Sequence, residues 1–237
     1  MEIVRIADFE NSRVADFLAA EQFLPIQQSP IWARFQKSFG VESLRIAVFD
    51  DEKIVAFAQI FVKKLPFGFS KIEISRGPLG DAKFFPEIFA EIQKFAAEQK
   101  AIFARFDFQK SDFAAPKLKK AREENFPLAT IRIDLAKSRD EILAAMKPKG
   151  RYNTRVAEKH GVAISVEKSV DDFFVLLEKT TARDGFAAHP KNFYVKMLEI
   201  LGENAVLLVA RKDSRAVAAI VVTFAGDTAT YYFGASD

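Results

Sequence analysis

The chain has no cysteine and only two histidines among its 237 residues, and those gaps remove whole classes of chemistry. Without thiols there is no disulfide, no thiolate nucleophile and no thiolate metal site. His160 and His189 lie in separate segments, which argues against a histidine metal cluster and against a Ser-His-Asp triad. No P-loop and no dinucleotide fingerprint is present, so the expectation is a protein without metal or cofactor. No apolar run approaches membrane-spanning length, and the start, Met1-Glu2-Ile3-Val4-Arg5, turns polar at once. That pattern implies a cytoplasmic protein. Tryptophan occurs once and tyrosine four times, whereas phenylalanine occurs 25 times, at helix and strand periods that suit a core. The net charge of +3 is too small to imply a DNA partner, and where the charge sits matters more.

Local signals alternate between helix and strand. Ser29-Pro30 reads as an N-cap followed by proline at the first helical position, with Trp32, Phe35 and Phe39 at helical spacing and Gly40 as the stop. A hairpin follows, Leu44 to Phe49 and Ile54 to Val62, turning at Asp50-Asp51-Glu52-Lys53. A third strand from Lys71 to Arg76 breaks at Gly77-Pro78-Leu79-Gly80. Phe85, Ile88, Phe89, Ile92 and Phe95 then describe an amphipathic helix. Ala101 to Phe108 reads as a buried strand, Lys117 to Arg122 as a lysine-rich helix, and Leu128 to Leu135 as a further strand.

The second half repeats the plan. Ser138 caps a helix with Asp140 and Glu141 in its first turn, the end that favours acids. The Lys147 to His160 stretch is helical and basic and ends at Gly161. A short strand, Val162 to Val166, and two helices, Asp171 to Thr181 and Pro190 to Leu201, lead to a second hairpin. Its strands are Val206 to Ala210 and Val217 to Phe224. A third strand, Thr228 to Phe233, ends at Gly234. This order is that of the acetyltransferase-like (GNAT) fold. The expectation is therefore an α/β (α+β) protein of two tandem GNAT-like domains, 1–134 and 135–237, the second truncated at its C-terminus, with no long coiled-coil arm. Coenzyme A-dependent acetyltransferases hold the pyrophosphate in an Arg/Gln-x-x-Gly-x-Gly/Ala turn. Neither Arg76-Gly77-Pro78-Leu79-Gly80 nor Lys147-Pro148-Lys149-Gly150 has that spacing.

The densest chemistry lies in Met146-Lys147-Pro148-Lys149-Gly150-Arg151-Tyr152-Asn153-Thr154-Arg155, continuing to Lys159. Five cationic side chains precede or flank a single acid, Glu158, which suits a diphosphate or a tRNA backbone, with Tyr152 able to stack on a base. A solvated helix face accounts for the same pattern equally well. Lys37 is a second candidate, though surface lysines are common. Asp107, between Phe106 and Phe108, needs a partner, and Arg105 faces the same side; a structural ion pair and a site weigh the same. Arg183 could clamp a phosphate or simply pair with Asp184. His160, before Gly161, reads as a cap.

Taken in order, these segments resemble the peptidoglycan-bridge aminoacyltransferases, the Fem-type lipid II glycyl- and alanyltransferases. The carriers are Gln28-Ser29-Pro30-Ile31-Trp32 with Lys37, Arg76-Gly77-Pro78-Leu79, Arg105-Phe106-Asp107 and Ile133-Asp134-Leu135 with Met146 to Asn153. Arg183-Asp184-Gly185-Phe186 with His189 and Tyr194, and Ala229 to Ser236, complete the set. The resemblance implies transfer of an amino acid from aminoacyl-tRNA to the stem-peptide amine of UDP-MurNAc-pentapeptide or lipid II. It also implies a peripheral contact with the inner face of the membrane. It places Lys37 and a second-domain cation (Arg183, His189 or Arg151) on the precursor's diphosphate, with Tyr152, Asn153 and Tyr194 also on the binding side. Asp107 falls in the same cleft, and Tyr231 or Tyr232 lies near the reacting centre. The family's oxyanion-stabilising lysine falls beyond Asp237. Two other readings share the fold: a tandem GNAT-like N-acyltransferase for another amine, and a non-catalytic tRNA- or nucleotide-binding relative.

Overall fold

The computed structural model describes residues 1–6, 12–109, 118–127 and 129–237. They divide into two compact units: Met1–Asn125 with Glu199–Asn204 and Thr223–Thr230, and Phe126–Leu198 with Ala205–Val222 and Tyr231–Asp237.

The first unit runs β1 (Glu2–Ile6), α1 (Ser12–Ala20), α2 (Pro30–Lys37), β2 (Glu42–Asp50), β3 (Lys53–Lys64), β4 (Ser70–Ser75), the two-residue β5 (Leu79–Gly80), α3 (Phe85–Glu98) and β6 (Ala101–Asp107). The sheet order is β1-β2-β3-β4-β6, with β5 beside β3. Neighbours are antiparallel except β4 and β6, which run parallel. Ser29 caps α2 as its sequence demands, its side-chain oxygen accepting the Trp32 N–H. The central strands read as near-continuous apolar runs because both faces are covered. Ile46, Val48, Ala56, Ala58, Ile60, Ile72 and Ile74 face Phe85, Ile88 and Ile92 of α3. Phe57, on the other face, meets Phe17 of α1 at 6.0 Å between ring centres.

Glu73 is the one acid on the buried stretch of β4. Burial pushes its carboxyl up, but ion pairs to Lys63 at 2.6 Å and Lys71 at 2.9 Å outweigh that and hold it below the usual range. A depressed carboxylate stabilises the fold above its unfolded value, about 4.3 for glutamate. That stabilisation disappears as pH falls through the lower folded value. Glu73→Gln should therefore melt lower than the parent at neutral pH and converge with it in acid, a difference readable in thermal melts across the acid limb.

The rest of the chain, most of it in the second unit, repeats the order from its own strand: α4 (Arg139–Ala145), α5 (Pro148–Lys159), β7 (Ala163–Glu167), α6 (Asp171–Asp184), α7 (Lys191–Leu201), β8 (Ala205–Lys212), β9 (Arg215–Ala225) and β10 (Thr228–Ser236). The sheet order is β10-β9-β8-β7. Strand, two helices and three strands thus recur as β1-α1-α2-β2-β3-β4 and β7-α6-α7-β8-β9-β10. Its core joins Phe173, Leu176 and Leu177 of α6, Tyr194 and Met197 of α7, and Leu207, Val209, Ala219 and Val221 of the strands. Ser138 and Glu141 form a reciprocal capping box at α4. The longest helices, α3 and α6, have 14 residues each, and no helix among the described residues is long and apolar enough to cross a membrane.

Several sequence expectations need correction. The opening strand β1 precedes the helices and was not foreseen; it borders β2 from Glu2↔Phe49 to Ile6↔Arg45. The lysine-rich stretch is not a helix over 118–127, where Leu118 and Phe126 are the only large apolar residues, too few for a face to bury; Lys117 lies outside the described residues. Residues 129–135 form no strand although Ile131, Ile133 and Leu135 alternate, because no neighbouring strand among the described residues completes their backbone hydrogen bonds; Leu128 also lies outside the described residues. β6 is not buried throughout, since it is an edge strand. β10 does not stop at Gly234 but runs on to Ser236.

Candidate functional site

In the first unit the site begins with a gap in the sheet. β3 borders β4 from Phe61↔Glu73 outward and β5 at Phe57↔Leu79, which leaves Gln59 between them with no strand on that side among the described residues. The carboxamide of Gln28, just ahead of α2, fills the place of the missing strand. Its Oε1 accepts the Gln59 N–H at 2.7 Å. Its Nε2 donates to the carbonyls of Gln59 at 3.2 Å and Ser75 at 2.8 Å. The Gln59 side chain returns the contact, donating to the carbonyls of Gln27 and Ser29 and accepting from Arg45 Nε at 3.1 Å. All three side chains are buried. This network ties the start of α2, whose last residue is the exposed Lys37, to the end of β4. Gly77 closes over it: a Cβ there would lie 2.7–2.9 Å from three atoms of the Gln28 carboxamide.

Asp107 ends β6 beside Ser75, at the carboxyl ends of the two parallel strands, where open α/β sheets bind ligands. Its carboxylate is 3.5 Å from Arg105 Nε, so the same-side pairing read from the sequence is present. Asn125 Nδ2 also reaches it at 3.5 Å, and Arg105 donates to the Glu123 carbonyl.

The second unit holds the other candidates in three places. On α5, Arg151 turns back to donate to the carbonyls of Ala144 and Met146, which satisfies the end of α4. Tyr152 and Asn153 point into solvent, as do Lys149, Arg155 and Lys159, and His160 is the C-cap residue. At the end of α6, Gly185 takes the left-handed C-cap position, and Arg183 pairs with Asp184 at 2.9 Å. That hydrogen-bonded pairing raises the Arg183 pKa and lowers that of Asp184. Arg183 also reaches the Ser236 carbonyl at 3.5 Å, and Thr180 exchanges two hydrogen bonds with the Ser236 backbone. The end of β10 is thereby held against α6.

The third place is the aromatic group behind β10. The exposed His189 stacks on Phe193 at 3.9 Å. Tyr194 is buried, its ring edge-on to Phe173 at 5.1 Å and to Phe233 at 5.2 Å. Burial pushes its hydroxyl pKa up, opposed by a hydrogen bond from the His189 backbone. Tyr194 is therefore a core member that supports the His189 loop. Tyr232 is half-buried against Phe233. Tyr231 is 66% exposed, yet its hydroxyl lies where a Cβ on Gly234 would sit, 1.7 Å away. A strand glycine marks such close approaches, and here it makes room for the tyrosine.

Sequence reasoning did not find the Gln28–Gln59–Arg45 network. The available signal was Gln59 itself, a lone polar residue inside Val55-Ala56-Phe57-Ala58-Gln59-Ile60-Phe61.

A six-strand first sheet with helices on both faces, followed by a second unit of the same strand and helix order, defines a tandem acetyltransferase-like protein. The FemAB family model matches residues 9–111 and 119–219, most of both halves, and the chain belongs to the FemAB family. It is 27% identical over 223 residues to a lipid II:glycine glycyltransferase of Staphylococcus saprophyticus, covering 85% of this chain and 53% of that protein. The chain thus spans about half the length of this curated relative. The crystal structure of FemX superposes with a TM-score of 0.79 at 18% identity, covering all of this chain and 81% of FemX. A tandem GNAT protein from the clavulanic acid biosynthesis pathway follows at 0.51 and 10% identity, covering 99% of this chain and 78% of that one. Both likenesses are of fold.

Proposed function

We propose that this chain acts as an aminoacyltransferase of cell-wall bridge formation. In this reading it moves an amino acid from aminoacyl-tRNA to the stem-peptide amine of a lipid- or UDP-linked peptidoglycan precursor at the inner face of the membrane. Family membership across both halves carries the reading, together with the relative named as a lipid II:glycine glycyltransferase. The first unit supports it too: the turn after β4 is filled by the Gln28 carboxamide beneath Gly77, and its spacing is not that of a coenzyme A turn.

The chemistry asks little of the protein beyond placement. The acceptor amine attacks the ester carbonyl, the tetrahedral adduct collapses, the tRNA hydroxyl leaves, and the proton shed by the amine goes to that hydroxyl or to a nearby base. Because the ester is already activated, orientation supplies most of the acceleration. To Lys37 we assign a phosphate of the precursor; Arg183 would exchange its exposed pairing with Asp184 for a charge-assisted contact to a phosphate. To Asp107 we assign orientation of the amine and acceptance of its proton. To Tyr231 we assign hydrogen bonding at the reacting centre, with Tyr232 behind it. Arg151 and Tyr194 serve as supports, and the exposed face of α5 with Tyr152 and Asn153 is assigned to the tRNA.

Calorimetric titration with UDP-MurNAc-pentapeptide tests the acceptor. Lys37→Ala should weaken binding about tenfold or more, the worth of one charged hydrogen bond. A folded parent chain that does not bind the precursor, or that transfers from an acyl-coenzyme A instead, would overturn the reading in favour of another N-acyltransferase. Gly234→Ala gives an independent check on Tyr231. The new methyl group displaces an exposed ring that can swing away, so the melting midpoint should hardly change. Transfer should nevertheless fall to the level of Tyr231→Ala, with kcat affected more than KM.

A further inference from the structure

One end of the first sheet is apolar where nothing in folding requires it. The connection from β3 to β4, Leu65-Pro66-Phe67-Gly68-Phe69, is a tight turn closed by the Leu65 N–H on the Phe69 carbonyl at 2.8 Å. Phe67 sits at its tip with φ +62°, a left-handed conformation that non-glycine residues rarely take, and is 98% exposed. Phe69, next to it, is 47% exposed. The start of β6 lies alongside: the Ser70 N–H bonds the Lys100 carbonyl, and Ser70 faces Ala101. The register then slips, since Ile72 faces Ala104. Two steps on β4 thus match three on β6, and the bulge leaves Ile102 60% and Phe103 48% exposed. Four large apolar side chains therefore gather at one corner.

Lysines surround them. Lys63 and Lys64 lead into the turn, facing Lys71 and Ser70 across the ladder, and Lys100 precedes β6. Against these four stand two carboxylates among the described residues. Glu73 is shared by Lys63 and Lys71, and Glu42 lies 3.7 Å from Lys64, so the corner keeps a surplus of two positive charges. Glu98, close by in sequence, is already taken by Arg5. A rigid aromatic tip ringed by lysines has the chemistry of an interfacial anchor, in which rings enter the headgroup layer and ammonium groups stay at its anionic surface. Four residues on a turn and an edge strand are too few for a stable protein interface, which uses roughly 20 to 30 residues a side.

We propose that Phe67, Phe69, Ile102 and Phe103 form a peripheral docking surface for an anionic phospholipid bilayer, with Lys64 and Lys100 supplying the charge. The proposal deepens the reading of a lipid-linked acceptor and rests on it for its purpose: docking would hold the first unit at the plane where such an acceptor is anchored.

The test is co-sedimentation of the full chain with vesicles of phosphatidylcholine alone, or of equal parts phosphatidylcholine and phosphatidylglycerol, with no precursor in either. The parent chain should partition onto the anionic vesicles about tenfold better than onto the neutral ones. The pair Phe67→Ser and Ile102→Ser, both on exposed positions, should lose about tenfold or more on anionic vesicles with an unchanged melting midpoint. The pair Lys64→Glu and Lys100→Glu should abolish the preference for anionic lipid. A parent chain that stays in the supernatant, or a serine pair that sediments like the parent, would overturn the proposal. So would sedimentation velocity showing a dimer that the serine pair dissolves, since the corner would then bind a second copy. Titration with water-soluble UDP-MurNAc-pentapeptide separates the two readings. Vesicle binding without precursor binding sinks the acceptor assignment and leaves the docking surface standing, and the reverse pattern does the opposite.

Discussion

Gln28→Ala should destabilise the first unit by about 3 kcal/mol or more and lower its melting midpoint by roughly 10 °C. The substitution removes three hydrogen bonds at once and leaves the Gln59 N–H and the Gln59 and Ser75 carbonyls without them in a buried place. Each buried group left unmet costs about 1–3 kcal/mol, and no strand among the described residues is at hand to replace the carboxamide. Gly77→Ala attacks the same contact from the other side by driving a methyl into the Gln28 side chain. The two substitutions should therefore not add: once Gln28 is alanine, the room beneath Gly77 is open and the second change should cost little. Thermal or urea melts of the two single variants and the double variant decide the matter. Additive losses would show that Gly77 and Gln28 act separately.

Tyr194→Ala should cost about 3–5 kcal/mol, the usual penalty for emptying an aromatic site in a core. Its ring is edge-on to Phe173, Phe193 and Phe233, so the cavity would open where α6, α7 and β10 meet. Tyr194→Phe should cost only about 1 kcal/mol, the hydrogen bond from the His189 backbone. The pair separates a core residue from a ligand contact. If Tyr194 supports the site by packing, the phenylalanine variant keeps nearly full affinity for the precursor. If it binds the ligand through its hydroxyl, that variant loses affinity while staying folded. Calorimetric titration beside thermal melts distinguishes the two.

Much of the fold was legible from local signals. Ser29-Pro30 stood at the start of α2, the Asp51-Glu52 turn lay between β2 and β3, α3 fell where its periodicity put it, and α6 began at Asp171 as expected but ran on to Asp184. The failures have a common cause. Ile131, Ile133 and Leu135 alternate like a strand, but a strand exists only where a neighbour supplies hydrogen bonds. Ala101 to Phe108 is apolar like a central strand, but its place at the edge of the sheet leaves Ile102 and Phe103 in water.

The candidate residues divide along the same line. By itself the sequence determined most of the order of helices and strands, the caps and turns, and the resemblance that membership of the FemAB family bears out, because each depends on neighbours along the chain. Only the tertiary structure decided what each polar side chain does. Arg151 and Tyr194 are turned inward to hold α4 and the His189 loop, while Lys37, Tyr152 and Tyr231 face solvent. Gln28 and Gln59, 31 residues apart, complete a sheet between them. A polar group's role is set by whichever partner reaches it through space, and that partner lies too far along the chain for periodicity to reveal.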